Sequence, residues 1–155
     1  MTTSFEIFNL HPALVQAIAQ CGYSEPTPIQ TAVIPHLLVG DDVVGQAQTG
    51  TGKTAAFALP MLHNLLPGHG AVQALVLSPT RELALQVAGS IADYGQFSGA
   101  RVLAVYGGAA YGPQIAGLRR GADIVVGTPG RLMDLMEKGV LHIDQLRMVV
   151  LDEAD

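Results

Sequence analysis

The sequence predicts an α/β fold: an open, doubly wound, mostly parallel sheet covered by helices. Three observations carry that prediction. Five short apolar runs recur through the chain, and none alternates as a half-exposed strand would. Most are separated by stretches long enough for a crossover helix. Hydrophobic residues make up 49% of the 155 positions against 14% charged, which is enough apolar surface for one packed domain.

The elements follow in order. Pro12 to about Gln20 reads as a short amphipathic helix, with Leu14, Ala17 and Ile18 on one face and Gly22 as its stop. A second helix starts at Thr27 or Pro28 and runs towards Leu38, bent by Pro35 and ending before Gly40. Strands are expected at DVVGQA (42–47), QALVLS (73–78), RVLAVY (101–106) and MVVLD (148–152), with a shorter one at DIVVG (123–127). Residues 52–66, 80–97, 111–120 and 130–138 supply the helices between them.

Composition narrows the setting. No apolar stretch approaches the roughly 20 residues that cross a bilayer, so no membrane partner is expected. The start, MTTSFEIFNLHP, has no basic segment leading into an apolar core, and the single Cys21 cannot form an internal disulfide, so a reducing cytoplasmic setting is expected. Eight Lys plus Arg against 13 Asp plus Glu give a net charge of -5 without a basic stripe; bulk electrostatics argues against nucleic acid.

In sheets of this kind ligands sit at the carboxyl ends of the strands. The first expected strand leads into AQTGTGKT, residues 47–54, a phosphate-binding loop of the Walker type. Gly50 and Gly52 let the backbone wrap a phosphate, Lys53 reaches the terminal phosphates, and Thr54 offers its hydroxyl to Mg2+ at a helix N-terminus. Ala47 stands where the strict pattern has its first glycine. The dinucleotide pattern GxGxxG is absent because Ala55 takes the place of its last glycine. An acid at the end of a later buried strand completes such a site, and MVVLDE supplies Asp152 to hold Mg2+, directly or through water, and Glu153 to orient or deprotonate an attacking water. Lys53, Asp152 and Glu153 are therefore the catalytic candidates, and Lys53 and Asp152 should face one magnesium-triphosphate. His36, His63 and His69 lack ligand spacing with Cys21 or with acids, which excludes a zinc site, and Arg119 with Arg120 reads as a solvated helix end.

With these residues in place the chain resembles the DEAD-box RNA helicases, whose name is spelled by Asp152, Glu153, Ala154 and Asp155. The resemblance covers nearly the whole chain. The segment GYSEPTPIQ (22–30), with Phe5 upstream, is similar to the family's adenine-recognition motif. On their own Tyr23 and Gln30 read as a turn and a helix N-terminus; the resemblance makes Gln30 a partner for the adenine edge and Tyr23 a stacking face. The implied nucleotide set is Phe5, Tyr23, Thr27, Gln30, Gln48, Thr49, Gly50, Thr51, Gly52, Lys53 and Thr54, with ATP and Mg2+ as cofactors and Thr54 and Asp152 towards the metal. PTREL (79–83), the Gly107–Gly108 pair and TPGR (128–131) resemble the family's RNA-contact motifs. They imply sequence-independent backbone contacts from Pro79, Thr80, Arg81, Gly107, Gly108, Thr128, Pro129, Gly130 and Arg131. Helix N-termini there can bind phosphate even on an acidic domain. Gln114, six residues beyond Gly108, falls near a further family position beside RNA.

The resemblance also implies organisation. Residues 1–155 correspond to an incomplete N-terminal RecA-like helicase lobe with residues 1–40 as its adenine-recognition segment; the second lobe and the Ser-Ala-Thr motif are absent. In RecA-like lobes the Ser-Ala-Thr strand lies between the phosphate-loop strand and the LDEAD strand, so exposed edges and self-association are expected. The fragment should bind nucleotide without unwinding. Two rivals predict otherwise: a P-loop kinase or GTPase leaves TPGR unexplained, and an RNA-binding scaffold with a dead nucleotide site does not need the intact phosphate loop and acids.

Overall fold

The computed structural model describes residues 4–48, 52–66 and 68–152. The chain forms two compact units, Met1–Leu65 with Ser90–Gly99, and Leu66–Gly89 with Ala100–Asp155.

The first unit is helical. A single 3-10 turn, Phe5–Phe8, precedes α1 (Pro12–Gln20), α2 (Pro28–Leu38) and α3 (Lys53–His63). Proline at the first helical position of α1 and α2 removes a donor that would have no partner there. Leu14, Ala17 and Ile18 of α1 are buried, as their three- and four-residue spacing requires. Two bonds close the end of α1: Gly22 N–H donates to Ala19 O at 3.0 Å and Tyr23 N–H to Ile18 O at 3.1 Å. This pairing needs a left-handed residue after the cap, and Gly22 supplies φ +88°. α3 packs on α2 and α1. Its Ala55, Ala56, Ala58, Leu59, Met61 and Leu62 are buried, so it is apolar nearly all round, as a core helix must be.

The second unit carries the sheet, in the order β2-β3-β1-β4, with β1 Ala74–Leu77, β2 Val102–Val105, β3 Ile124–Gly127 and β4 Met148–Leu151. All three ladders are parallel, as the predicted class requires. α5 (Tyr111–Arg120) and α6 (Pro129–Glu137) connect strands, and α4 (Arg81–Tyr94) runs from the second unit through Gly89 into the first from Ser90. Central β3 is buried along its length and seats Val125 in a cluster with Leu75, Val105, Leu132, Leu135 and Leu141. β4 is an edge strand, with Val149 and Leu151 54% and 63% exposed.

Four of the five expected strands form. The strand expected at 42–47 does not: residues 41–48 have no regular secondary structure, and Val44 is 94% exposed. An apolar run meets the side-chain requirement of a buried strand, but a strand also needs a hydrogen-bonding partner. Among the described residues no strand pairs with this run.

Candidate functional site

The first unit holds the residues singled out for nucleotide. Gln30 is completely buried, and its side-chain amide bridges two backbone positions. Its Oε1 accepts from Thr27 N–H at 2.9 Å, capping α2, while its Nε2 donates to Gly52 O at 3.1 Å. Gln30 is thus both the helix-terminus residue of the plain reading and a fastener on the residue before Lys53. Thr27 Oγ1 is buried without a partner among the described residues. Gly52 takes φ +85°, where a Cβ would stand 2.3 Å from Gln30 Nε2, so both conformation and space demand glycine. Lys53 and Thr54 then open α3, and their position in its first turn suits an anion.

Tyr23 follows the cap of α1 and is 39% exposed; its ring centre lies 6.3 Å from that of Tyr94 at a 54° tilt. Burial, and then the hydrogen bond to Tyr23, push the Tyr94 hydroxyl above the ordinary tyrosine value. Phe5 is 3% exposed and packs edge-on to Phe8 at 6.1 Å, so it belongs to the core of this unit. Gln48 is exposed. Thr49, Gly50 and Thr51 lie outside the described residues, as does Glu153.

The second unit gathers the remaining candidates at one edge of its sheet. The register pairs Leu77 with both Gly127 and Leu151, and Val105 with Gly127, so the carboxyl ends of all four strands are level. The ladders run one bond further: Asp152 N–H donates to Leu77 O at 3.0 Å, Ser78 N–H to Gly127 O at 2.9 Å, and Thr128 N–H to Val105 O at 3.1 Å. Asp152, Pro79–Arg81, Gly107–Gly108 and Thr128–Arg131 therefore leave the sheet at its carboxyl end, where open α/β sheets generally bind ligands.

The local chemistry differs from residue to residue. Thr80 Oγ1 accepts from Leu83 N–H at 3.2 Å and caps α4. Thr128 does not cap α6; its hydroxyl accepts from Gly107 N–H at 3.3 Å and ties the glycine pair to the TPGR turn. Gly108 has φ +78°, and a Cβ added at Gly107, Gly108 or Gly130 would meet nothing within 4 Å, which leaves room for close approach to their backbone. Arg81 is exposed, with its guanidinium 4.9 Å from the Tyr106 ring centre. Arg131 is only 8% exposed. Its Nη1 donates to Gln114 Oε1 at 2.9 Å, its Nη2 to Ala109 O at 3.0 Å, and its carbon Cζ lies 3.9 Å from the Tyr111 ring centre. The Tyr111 hydroxyl donates to Asp134 Oδ2, and that bond raises its pKa above the ordinary tyrosine value. Sequence reasoning missed Tyr106, Tyr111 and Asp134, because a ring between helices carries no signal until the loop has folded.

The chain matches the family model for the DEAD/DEAH box helicase from residue 27 to residue 155. It belongs to that family. Among curated DEAD-box proteins it is 54% identical over 153 residues to the ATP-dependent RNA helicase DeaD of Mycobacterium tuberculosis strain H37Rv, covering 98% of this chain and 27% of that protein. It is 52% identical over 154 residues to the ATP-dependent RNA helicase DeaD of Escherichia coli K12, covering 99% of this chain and 24% of that one. The chain thus spans about a quarter of these relatives. Among solved DEAD-box structures, a protein of the hyperthermophile Methanococcus jannaschii superposes with a TM-score of 0.93 at 41% identity, covering 98% of this chain and 42% of that one. A hypothetical ATP-dependent RNA helicase from Sulfolobus tokodaii gives 0.85 at 45% identity, covering 94% and 42%. The RecA-like fold implied by the DEAD-box resemblance is the fold of these neighbours.

Proposed function

We propose that this chain is the ATP- and RNA-binding lobe of an RNA helicase that couples ATP binding and hydrolysis to local separation of an RNA duplex in the cytoplasm. One observation carries the reading: the level strand ends in the second unit bring Asp152 and the segments Pro79–Arg81, Gly107–Gly108 and Thr128–Arg131 to the carboxyl end of one sheet. Pro79, Thr80, Arg81, Gly107, Gly108, Thr128, Pro129 and Gly130 serve the sugar-phosphate chain, which reads no base sequence, and Arg131 belongs to the same RNA-binding turn. Gln30, Tyr23, Thr27 and Phe5 form the adenine segment, and Gln48 to Thr54 the phosphate loop.

Lys53 holds terminal phosphates, Asp152 serves the same nucleotide, and Glu153 orients the attacking water. Oxygen donors from Thr54 and Asp152 suit Mg2+, and the described residues contain no group of three or more His, Cys, Asp or Glu that could cage a metal. Mg2+ is commonly held by one or two protein oxygens together with water and substrate phosphates. When bound, Mg2+ neutralises charge on the phosphates.

The relatives are about four times longer than their match to this chain, which supports a second helicase lobe as the partner that completes the nucleotide site. The 155 residues alone are proposed to bind nucleotide without unwinding RNA, and to self-associate through the β4 edge where Val149 and Leu151 are exposed. No described helix is long and apolar enough to cross a membrane. Equilibrium titration with ATP, GTP and ADP tests the reading. Gln30→Ala should lose adenine preference and Lys53→Ala all nucleotide affinity; equal binding of GTP and ATP by the unmodified protein would sink it.

A further inference from the structure

The two arginines of the proposed RNA edge have opposite surroundings. Arg81 is exposed, with its guanidinium over the Tyr106 ring face. Arg131 is buried, and its planar fork is engaged from two sides by Gln114 and Ala109 above the Tyr111 ring. Gln114, 6% exposed, passes the tether on: its Nε2 donates to Tyr106 O at 3.1 Å. Residues 106–111 are therefore gripped at the Tyr106 carbonyl, the Gly107 N–H, the Ala109 carbonyl and the Tyr111 ring, by side chains from α5 and from the Thr128–Arg131 turn.

We infer that Arg131 is a positioning residue: with Gln114 it fixes the Gly107–Ala109 backbone, and it does not neutralise a phosphate itself. Arg81 supplies the charge. This division rests on the RNA reading above. A guanidinium can hold two acceptors in one plane, whereas an ammonium is a point charge that cannot reproduce the fork. Lysine is thus a fair substitute for a phosphate contact and a poor one for a positioning contact.

The experiment uses the full-length gene product, a single-stranded oligouridylate probe and a non-hydrolysable ATP analogue, with affinity followed across salt concentration. Loss of one phosphate contact lowers the slope of log affinity against log salt by about 0.7 for single strands. Arg81→Ala should show that drop, and Arg81→Lys should not. Arg131→Lys and Arg131→Met should both lose affinity with the slope unchanged, and Arg131→Met with Gln114→Ala should lose less than the sum of the two single losses. Amide exchange at residues 107–110 should accelerate in Arg131→Lys while β1 stays protected. Should Arg131→Met fail to fold, Arg131→Lys and Gln114→Ala carry the same readouts. Wild-type affinity in Arg131→Lys, a slope drop in Arg131→Met, or unchanged exchange at 107–110 would each overturn the assignment. Absence of RNA binding by the unmodified protein would instead remove the RNA reading, and the exchange measurement would still decide what Arg131 holds.

Discussion

The side-chain amide of Gln30 donates to the carbonyl oxygen of Gly52 at 3.1 Å, so the residue that caps α2 also restrains the last glycine before Lys53. A change at either position reaches the other. Gly52→Ala must adopt φ +85° and place its Cβ 2.3 Å from Gln30 Nε2. The left-handed backbone alone costs roughly 1–2 kcal/mol in an L-residue. Gln30→Ala leaves the Thr27 N–H without its acceptor, at about 1–3 kcal/mol if that group stays buried, while the Gly52 carbonyl keeps the Ala56 N–H at 3.1 Å. The double variant relieves the clash, so its loss of stability in chemical denaturation should be less than the sum of the two single losses. Additive losses would show that the two residues are not coupled.

A second prediction concerns acid. His63 Nδ1 accepts the His11 backbone N–H at 3.1 Å, and the two rings stack at 4.0 Å. Burial, and then the neighbouring His11, hold the His63 pKa below its ordinary 6.5. The folded protein therefore prefers neutral His63, and the unfolded chain takes up the proton first as pH falls. Stability should be fully present above pH 6.5 and decline below it until the folded form also protonates. His63→Asn, whose side-chain oxygen can accept the same N–H without titrating, should flatten that decline in thermal melts taken between pH 7 and 5.

Glycines in the sheet unit give a third test. A Cβ at Gly127 would lie 2.7 Å from Val105 Cγ2 and 2.8 Å from Leu132 Cδ2; one at Gly117 would lie 2.7 Å from Leu103 Cδ1. Gly127 is hemmed in by two buried side chains of the core cluster, whereas Leu103 is only partly buried and can turn away. Gly127→Ala should cost about 1–3 kcal/mol as an overpacked core site, and Gly117→Ala distinctly less. The ranking is read from denaturation midpoints, and its reversal would contradict the packing described.

Gln73 carries a fourth. It is 1% exposed, and its side chain pairs with both backbone groups of Leu66, accepting from its N–H at 2.7 Å and donating to its carbonyl at 2.9 Å. Gln73→Leu removes both bonds to the backbone of Leu66, an exposed residue whose freed groups water can reach. Hydrogen exchange at the Leu66 amide should rise well before global unfolding does; equal protection in the variant would argue against the pairing.

Much of this was legible in the sequence, for reasons that differ by element. α1 and α2 fall on Pro12–Gln20 and Pro28–Leu38 as predicted, because proline at the first turn and glycine past the last are local signals. Strands β1 to β4 lie within their apolar runs because each has a neighbour in the sheet. Val43 and Val44 are as apolar as Val125 and Val126, yet remain exposed, and no strand among the described residues pairs with them. At the site, motifs located Arg81 and Arg131 equally well. Which of them is buried depends on Gln114, Ala109 and Tyr111, a contact set that forms only when α5 and the Thr128–Arg131 turn meet.

The chain has four tyrosines and no tryptophan, so its near-ultraviolet emission comes from phenol rings alone. Tyr23 and Tyr94 contact each other beside the adenine segment; Tyr106 lies under Arg81, and Tyr111 under Arg131 with Lys138 5.1 Å from its centre. Three of the four rings thus lie in or against proposed ligand segments and the fourth, buried Tyr94, touches Tyr23, so the protein can report its own occupancy without a dye.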